Sequence, residues 1–243
     1  GKDRERNNFD FESTFIHHVG SPNPYRRKDN QTVDDFCDEK VKEFEDKILE
    51  IGPNKVAAYI AEPILASGGC IVPPKNYIKR FWEICKKHDV LYISDEVVTG
   101  FGRLGHFFCS QEEFDIIPDI ITSAKGITSG YIPLGAVLIS DKLMKDISKD
   151  SSSFFHGFTY SGHPVSCAAA LKNIEIIKRD KILDHVKNIA PYFHQKLKTL
   201  YEIPIVGDVR GMGLMAGIEC VIDKDSKNPL ILDQAIASRI DEE

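Results

Sequence analysis

Four short stretches of the chain are apolar almost throughout: "VAAYIAE" (56–62), "VLYIS" (90–94), "DIITSA" (119–124) and "LGAVLIS" (134–140). Strands without a polar face belong to parallel sheets covered on both sides, whereas half-exposed strands alternate. Between and before them the apolar spacing is helical. Thr32 stands as a cap ahead of Val33, Phe36, Cys37, Val41, Phe44, Ile48 and Leu49, and Gly52-Pro53 stops that helix. Pro73 and Pro74 open a second helix that turns Ile78, Phe81, Trp82, Ile84 and Cys85 inward. Residues 1–31 are polar and rich in Asn and Pro, and read as loop with a short strand around Phe15 to Val19. Strand and helix in alternation predict an α/β fold with a parallel sheet.

The texture changes beyond Ser161-Gly162. "HPVSCAAALKNIEIIKRD" and "KILDHVKNIAPYFHQKLKTLY" read as two helices, and "GDVRGMGLMAGIEC" as a tight turn with a strand. A domain change is expected near residue 178, dividing the chain into 1–177 and 178–243. In open parallel sheets, ligands bind at the carboxyl ends of strands. Asp95 and Lys125 both stand at predicted strand ends, so a shared site is expected there.

Charge and composition narrow the function classes. Of 243 residues, 28% are charged and 42% hydrophobic, with a net charge of −6, which argues against a broad nucleic-acid surface. Arg26-Arg27-Lys28 is too short a basic run to change that, and reads as a solvated turn. The six cysteines, at 37, 70, 85, 109, 167 and 220, form no C-x-x-C pair. They suggest neither zinc nor a disulfide framework but buried thiols in a reducing, cytoplasmic setting. The longest weakly charged run, Val56 to Val72, carries Glu62-Pro63 in its middle and falls short of a membrane span. The chain starts with Gly and stops at "SRIDEE" within a helical pattern, so both ends read as cut.

"GFGRLG" fits the G-x-G-x-x-G pattern of dinucleotide binding, but two acids separate it from the strand and an irregular aromatic stretch follows it. Without a strand feeding the first Gly and a helix opening at the last, the phosphate-binding mechanism is lost. Asp95 alone reads as a cap or ion-pair partner, and Lys125 alone as a solvated side chain. Together they suit a cofactor that needs an amine nucleophile and an acid to keep a ring nitrogen protonated. Pyridoxal phosphate is such a cofactor.

In "AAYIAEPILASGGCIVPP", "LYISDEVVTGFGRLG", "PDIITSAKGITSGYIPLGAV", "HGFTYSGHPVSCAAAL" and "VGDVRGMGLMAGIE", the chain resembles the class III pyridoxal-phosphate-dependent aminotransferases of fold type I. The segments run in family order over most of residues 15 to 220. The resemblance implies a large domain with a mainly parallel sheet, followed by part of a C-terminal α+β small domain. It implies that Lys125 forms the Schiff base with pyridoxal phosphate and that Asp95 pairs with the pyridine nitrogen. Val97 is expected against one ring face, Thr159 on the cofactor phosphate of a neighbouring subunit in a homodimer, and Glu62 in support of the site.

Two departures from the family pattern direct the substrate expectation. Val98 stands where some members carry a Gln that contacts the ring hydroxyl. Ser67 stands where members acting on ornithine or 4-aminobutyrate carry a gate Glu. Both make the chain similar to the ω-amino acid–pyruvate branch, which moves an amino group from an amine or ω-amino acid to an oxo acid. The family's N-terminal phosphate cup and C-terminal carboxylate-binding arginine have no counterpart here. A decarboxylase or racemase of the same fold, and a non-catalytic binding or dimerisation module, remain alternatives at this point.

Overall fold

The computed structural model describes residues 10, 14–149 and 156–230. Two sheets organise it. The first has four strands in the order β1 (Ala58–Ala61), β2 (Leu91–Asp95), β3 (Ile120–Ser123) and β4 (Ala136–Ile139). The first three run parallel, with Ala61 beside Ser94 and Asp95 beside Thr122. β4 is antiparallel to β3, pairing Ser123 with Ala136. A parallel return needs a crossover, usually a helix; the segment between β3 and β4 instead forms a tight turn and doubles back.

Helix α1 (Val33–Ile51) begins as expected, with the Asp35 amide donating to Thr32 Oγ1 at 3.0 Å and Gly52 closing it at φ 96°. Helix α2 (Tyr77–Lys87) starts three residues after Pro74, because Asn76 takes a left-handed conformation at its N-cap. Phe44 of α1 stacks on Phe81 of α2 with ring centroids 4.3 Å apart, and Tyr59 of β1 packs on both rings. With Ile48, Ile78, Cys85, Tyr92 and Ile116 they form the main core under one sheet face. Burying a ring or aliphatic side chain of this size stabilises by about 1.5–3 kcal/mol each.

Two expectations fail here. β1 is not buried on both faces: Ala58 is exposed and Ile60 is 59% exposed. Its apolar run is continuous, yet among the described residues only the Tyr59 side meets helices. The second is the strand around Phe15 to Val19, where the chain is irregular. There the Gly20 amide donates to Glu43 Oε1 at 2.6 Å, so a side chain rather than a strand ladder holds the segment.

After a short helix α3 (Cys109–Glu112) and helix α4 (Asp141–Ser148) come α5 (Pro164–Arg179) and α6 (Ile182–Lys198). Lys181, left-handed at φ 50°, separates these last two. "GDVRGMGLMAGIEC" forms two strands where one was expected: β5 (Val206–Met212) and β6 (Met215–Asp223), joined by Gly213-Leu214. Gly213 sits at φ 57°, the sign that two-residue hairpin turns favour. A two-residue strand, β7 (Asn228–Pro229), completes this antiparallel sheet. Arg210 of β5 docks it, donating to Gly69 O at 2.8 Å while pairing with Asp208 and Glu219 at 2.8 and 2.6 Å.

Candidate active site

The carboxyl ends of β1, β2 and β3 bring Glu62, Asp95 and Lys125 to one edge of the parallel sheet. Glu62 follows β1 directly, Asp95 closes β2, and Lys125 comes three residues after Thr122, the β3 partner of Asp95. From strand spacing and rise, the Cα atoms of Asp95 and Lys125 stand about 11 Å apart or less. That is within reach of one aromatic cofactor.

The strand end is shaped by its own side chain. The Val97 amide donates to Asp95 Oδ1 at 3.1 Å, an Asx turn that bends the chain off the sheet. Among the described residues, Asp95 Oδ2 and Lys125 Nζ take no hydrogen bond or ion pair, and Lys125 is exposed. Ser123 Oγ, two residues before the lysine, is buried without a partner among them. An acid with an uncommitted oxygen, an unpaired amine and an orphaned buried hydroxyl fit a ligand with a protonated ring nitrogen and an electrophilic carbonyl. Glu62 Oε2 accepts from the Ala66 amide at 3.0 Å and so fixes the loop containing Ser67. Val97 is half-buried beside Asp95. Val98 instead joins the smaller core of Ile64, Leu104, Cys109 and Met215.

Glu96 has a role that its sequence does not disclose. Fully buried, it accepts from the Cys109 amide (2.8 Å), the Ser110 amide (2.9 Å), Ser110 Oγ (2.5 Å) and Thr99 Oγ1 (3.1 Å). Neighbouring strand residues face opposite ways, so of the adjacent acids one reaches the site edge and the other locks the following loop. Burial, with the nearby Glu96 charge second, pushes the Cys109 thiol far above its ordinary range.

"GFGRLG" lies in that loop as a compact turn, with the Gly102 amide donating to His106 O at 2.8 Å and the Gly105 amide to Gly102 O at 2.9 Å. No helix opens at Gly105; α3 begins at Cys109. The loop is a platform for the lysine's turn. A Cβ on Gly126 would lie 3.0 Å from Phe101 Cβ and 3.2 Å from Gly100 O, so any larger residue there would crowd the Phe101 loop.

Among the described residues no hydrogen bond ties Thr159 to this edge. It sits exposed in a turn in which the Phe158 amide donates to Ser161 Oγ at 3.1 Å. Its neighbours Phe158 and Tyr160 are 74% and 80% exposed; Phe154 and Phe155 lie outside the described residues. A cleft of about 510 Å³ lies between Phe108, Ile117, Ile121, Leu138 and Leu183, and its lining includes none of Glu62, Asp95 and Lys125. Among the described residues no cluster of His, Cys, Asp and Glu could hold a metal ion, and no helix is long and apolar enough to cross a membrane.

Comparison with known proteins shows the family. A family model described as aminotransferase class-III matches residues 2–242. A probable gamma-aminobutyrate transaminase 3, mitochondrial, from Oryza sativa subsp. indica is 41% identical over 234 residues, covering 95% of this chain and 46% of that protein. A putrescine–pyruvate aminotransferase of Pseudomonas aeruginosa is 43% identical, covering 90% and 48%. Among solved structures, the ω-transaminase from Pseudomonas jessenii in complex with PMP superposes with a TM-score of 0.90 at 38% identity, over 96% of this chain and 52% of that one. The chain spans about half the length of the relatives it matches.

Proposed function

Because the chain belongs to the class III aminotransferase family, we propose that it carries the catalytic edge of a pyridoxal-phosphate enzyme that moves an amino group from an amine or ω-amino acid to an oxo acid such as pyruvate. One observation supports this most: the register that sets Asp95 beside Thr122 brings a carboxylate with one uncommitted oxygen and an amine unpaired among the described residues to neighbouring strand ends. When bound, the cofactor supplies an electron sink for the charge left as a donor loses its proton.

In this reading Asp95 keeps the ring nitrogen protonated, since a carboxylate stabilises the charged form of a group close to it. Lys125 would hold the cofactor and, once released from it, would serve as the general base and acid for the donor's proton. Val97 would line the face of the ring, and Glu62 keeps the loop carrying Ser67 in place. Thr159 binds the phosphate of the partner's cofactor in a homodimer, supported by the exposure of Phe158 and Tyr160, since aromatics are enriched in interfaces. Residues 178–243 are assigned to the small domain. The free state of all six cysteines supports a reducing compartment, and we take this to be the cytoplasm.

Ser67 does not remove 4-aminobutyrate from the donors to be tried, because relatives 41% identical are named for it. The intact protein should turn over putrescine or 4-aminobutyrate with pyruvate, giving alanine with parallel double-reciprocal lines as expected for ping-pong transfer. Alanine formation absent with every amine donor, from protein carrying the cofactor, would overturn the reading.

A further inference from the structure

We infer that Asn173 is a positioning residue for Lys125: from the middle of α5, its side-chain amide fixes the turn that aims the lysine. The inference rests on the proposed role of Lys125 and adds a residue outside the strand-end set.

Lys125 sits at φ 41° and Ser129 at φ 51°, so the turn Lys125–Thr128 is bracketed by two left-handed non-glycine residues. Each costs about 1–2 kcal/mol relative to ordinary backbone, and such conformations persist only where surrounding contacts hold them. Within the turn, the Ile127 amide donates to Ala124 O at 3.0 Å and the Ser129 amide to Gly126 O at 3.1 Å. The contact from outside comes from Asn173. Its Nδ2 donates to Gly126 O at 2.9 Å and to Ile127 O at 3.1 Å, while Ser129 Oγ donates to its Oδ1 at 2.8 Å. Carbonyls only accept, so the orientation of the amide is dictated by its partners. One side chain thereby cross-links three of the four residues that follow the lysine.

The opposite side of the turn is closed by Gly100 and Phe101 against Gly126. The turn is gripped between the loop anchored by Glu96 and the helix carrying Asn173, while Lys125 itself is exposed. Direction of the amine is therefore set by the backbone beneath it. Helix α5 begins five residues after Thr159, so the same helix ties the segment proposed to reach the partner's cofactor to the lysine of its own subunit.

The test uses the intact protein loaded with pyridoxal phosphate, comparing wild type, Asn173→Ala and Lys172→Ala. Lys172 is the exposed neighbour that pairs with Glu175, and its variant should match wild type. In Asn173→Ala, kcat counted per lysine-bound cofactor should fall about 10–100-fold, as a displacement of about 1 Å in a reacting group can cost. KM should change much less. The pH midpoint of the cofactor's visible band and the rate of borohydride trapping at Lys125 should both move. A merely structural residue would lower the amount of loaded protein but leave kcat per loaded site and the midpoint at wild-type values; that result overturns the inference. If Asn173→Ala gives too little folded protein, Ser129→Ala, which removes one of the three bonds to the amide without touching the helix, carries the test. It should shift the same readouts in the same direction by less, and no shift counts against the inference. A wild type with no cofactor on Lys125 overturns the aminotransferase reading as well, whereas a normal wild type beside a normal Asn173→Ala overturns this inference alone.

Discussion

Replacing Glu96 by Gln probes the loop that carries both Asp95's neighbour and the platform for the lysine turn. Glu96 is buried and accepts from four donors. A glutamine can keep its oxygen on the Ser110 amide and hydroxyl, but its NH₂ then faces the Cys109 amide and Thr99 Oγ1. The threonine hydroxyl can rotate to accept; the Cys109 N–H cannot. One stranded buried amide costs about 1–3 kcal/mol, and loss of charge on the remaining bonds costs roughly 1 kcal/mol more. Relief of the buried charge offsets part of this, leaving about 2–3 kcal/mol. For a protein of this size or larger, each kcal/mol lowers Tm by about 2–4 °C. Thermal unfolding of cofactor-free Glu96→Gln should therefore show a fall of roughly 4–12 °C, measured without ligand so that binding does not mask it. A Tm within about 1 °C of the parent would refute the assignment of Glu96 as the loop's anchor.

Three further outcomes follow from the same structure. Asp95→Asn should cut transamination about 10²–10⁴-fold, as loss of a charge-stabilising group does; near-normal turnover would leave Asp95 a purely structural acid. Burial raises Cys85 from an ordinary 9.0 to about 12, so the folded protein should resist alkylation there at pH 9. Because the folded pKa is the higher one, Cys85 supports stability below pH 9.0, and that contribution should be lost as pH rises from 9.0 towards about 12; rapid labelling of Cys85 in folded protein at pH 9 would contradict it. A mixed dimer should join a Lys125→Ala subunit to a Thr159→Ala subunit. Its one intact lysine then faces an intact threonine from the partner, and wild-type cofactor affinity there is expected; weakened affinity would place Thr159 within its own subunit's site.

The strand-end pair was legible because its pattern is local: an apolar run, then an acid, and another run closing on a lysine among small residues. Register did the rest, since β2 and β3 pair in parallel with Asp95 beside Thr122. What β1 exposes was not legible, because a continuous apolar run says that a strand can be covered, not that it is. β4 reads like the other strands, and its reversed direction came from the tight lysine turn, whose geometry depends on contacts with α5 and the Phe101 loop. The division of labour between Asp95 and Glu96 was hidden for another reason. Two adjacent acids look alike in sequence, and only strand alternation with the amides of Cys109 and Ser110 separates them. Asn173 reaches a carbonyl 47 residues away; a polar residue within a helix gives no sign of such a partner.

Whether Lys125 holds the cofactor is decided by reduction. The intact protein should be incubated with pyridoxal phosphate, treated with borohydride, digested, and its pyridoxyl peptides sequenced. A single labelled lysine, Lys125, is expected in the "TSAKGITSGY" peptide, with labelling abolished when an amine donor has first converted the cofactor to its amine form. Label on any other lysine, or none on protein shown to be folded, would contradict it.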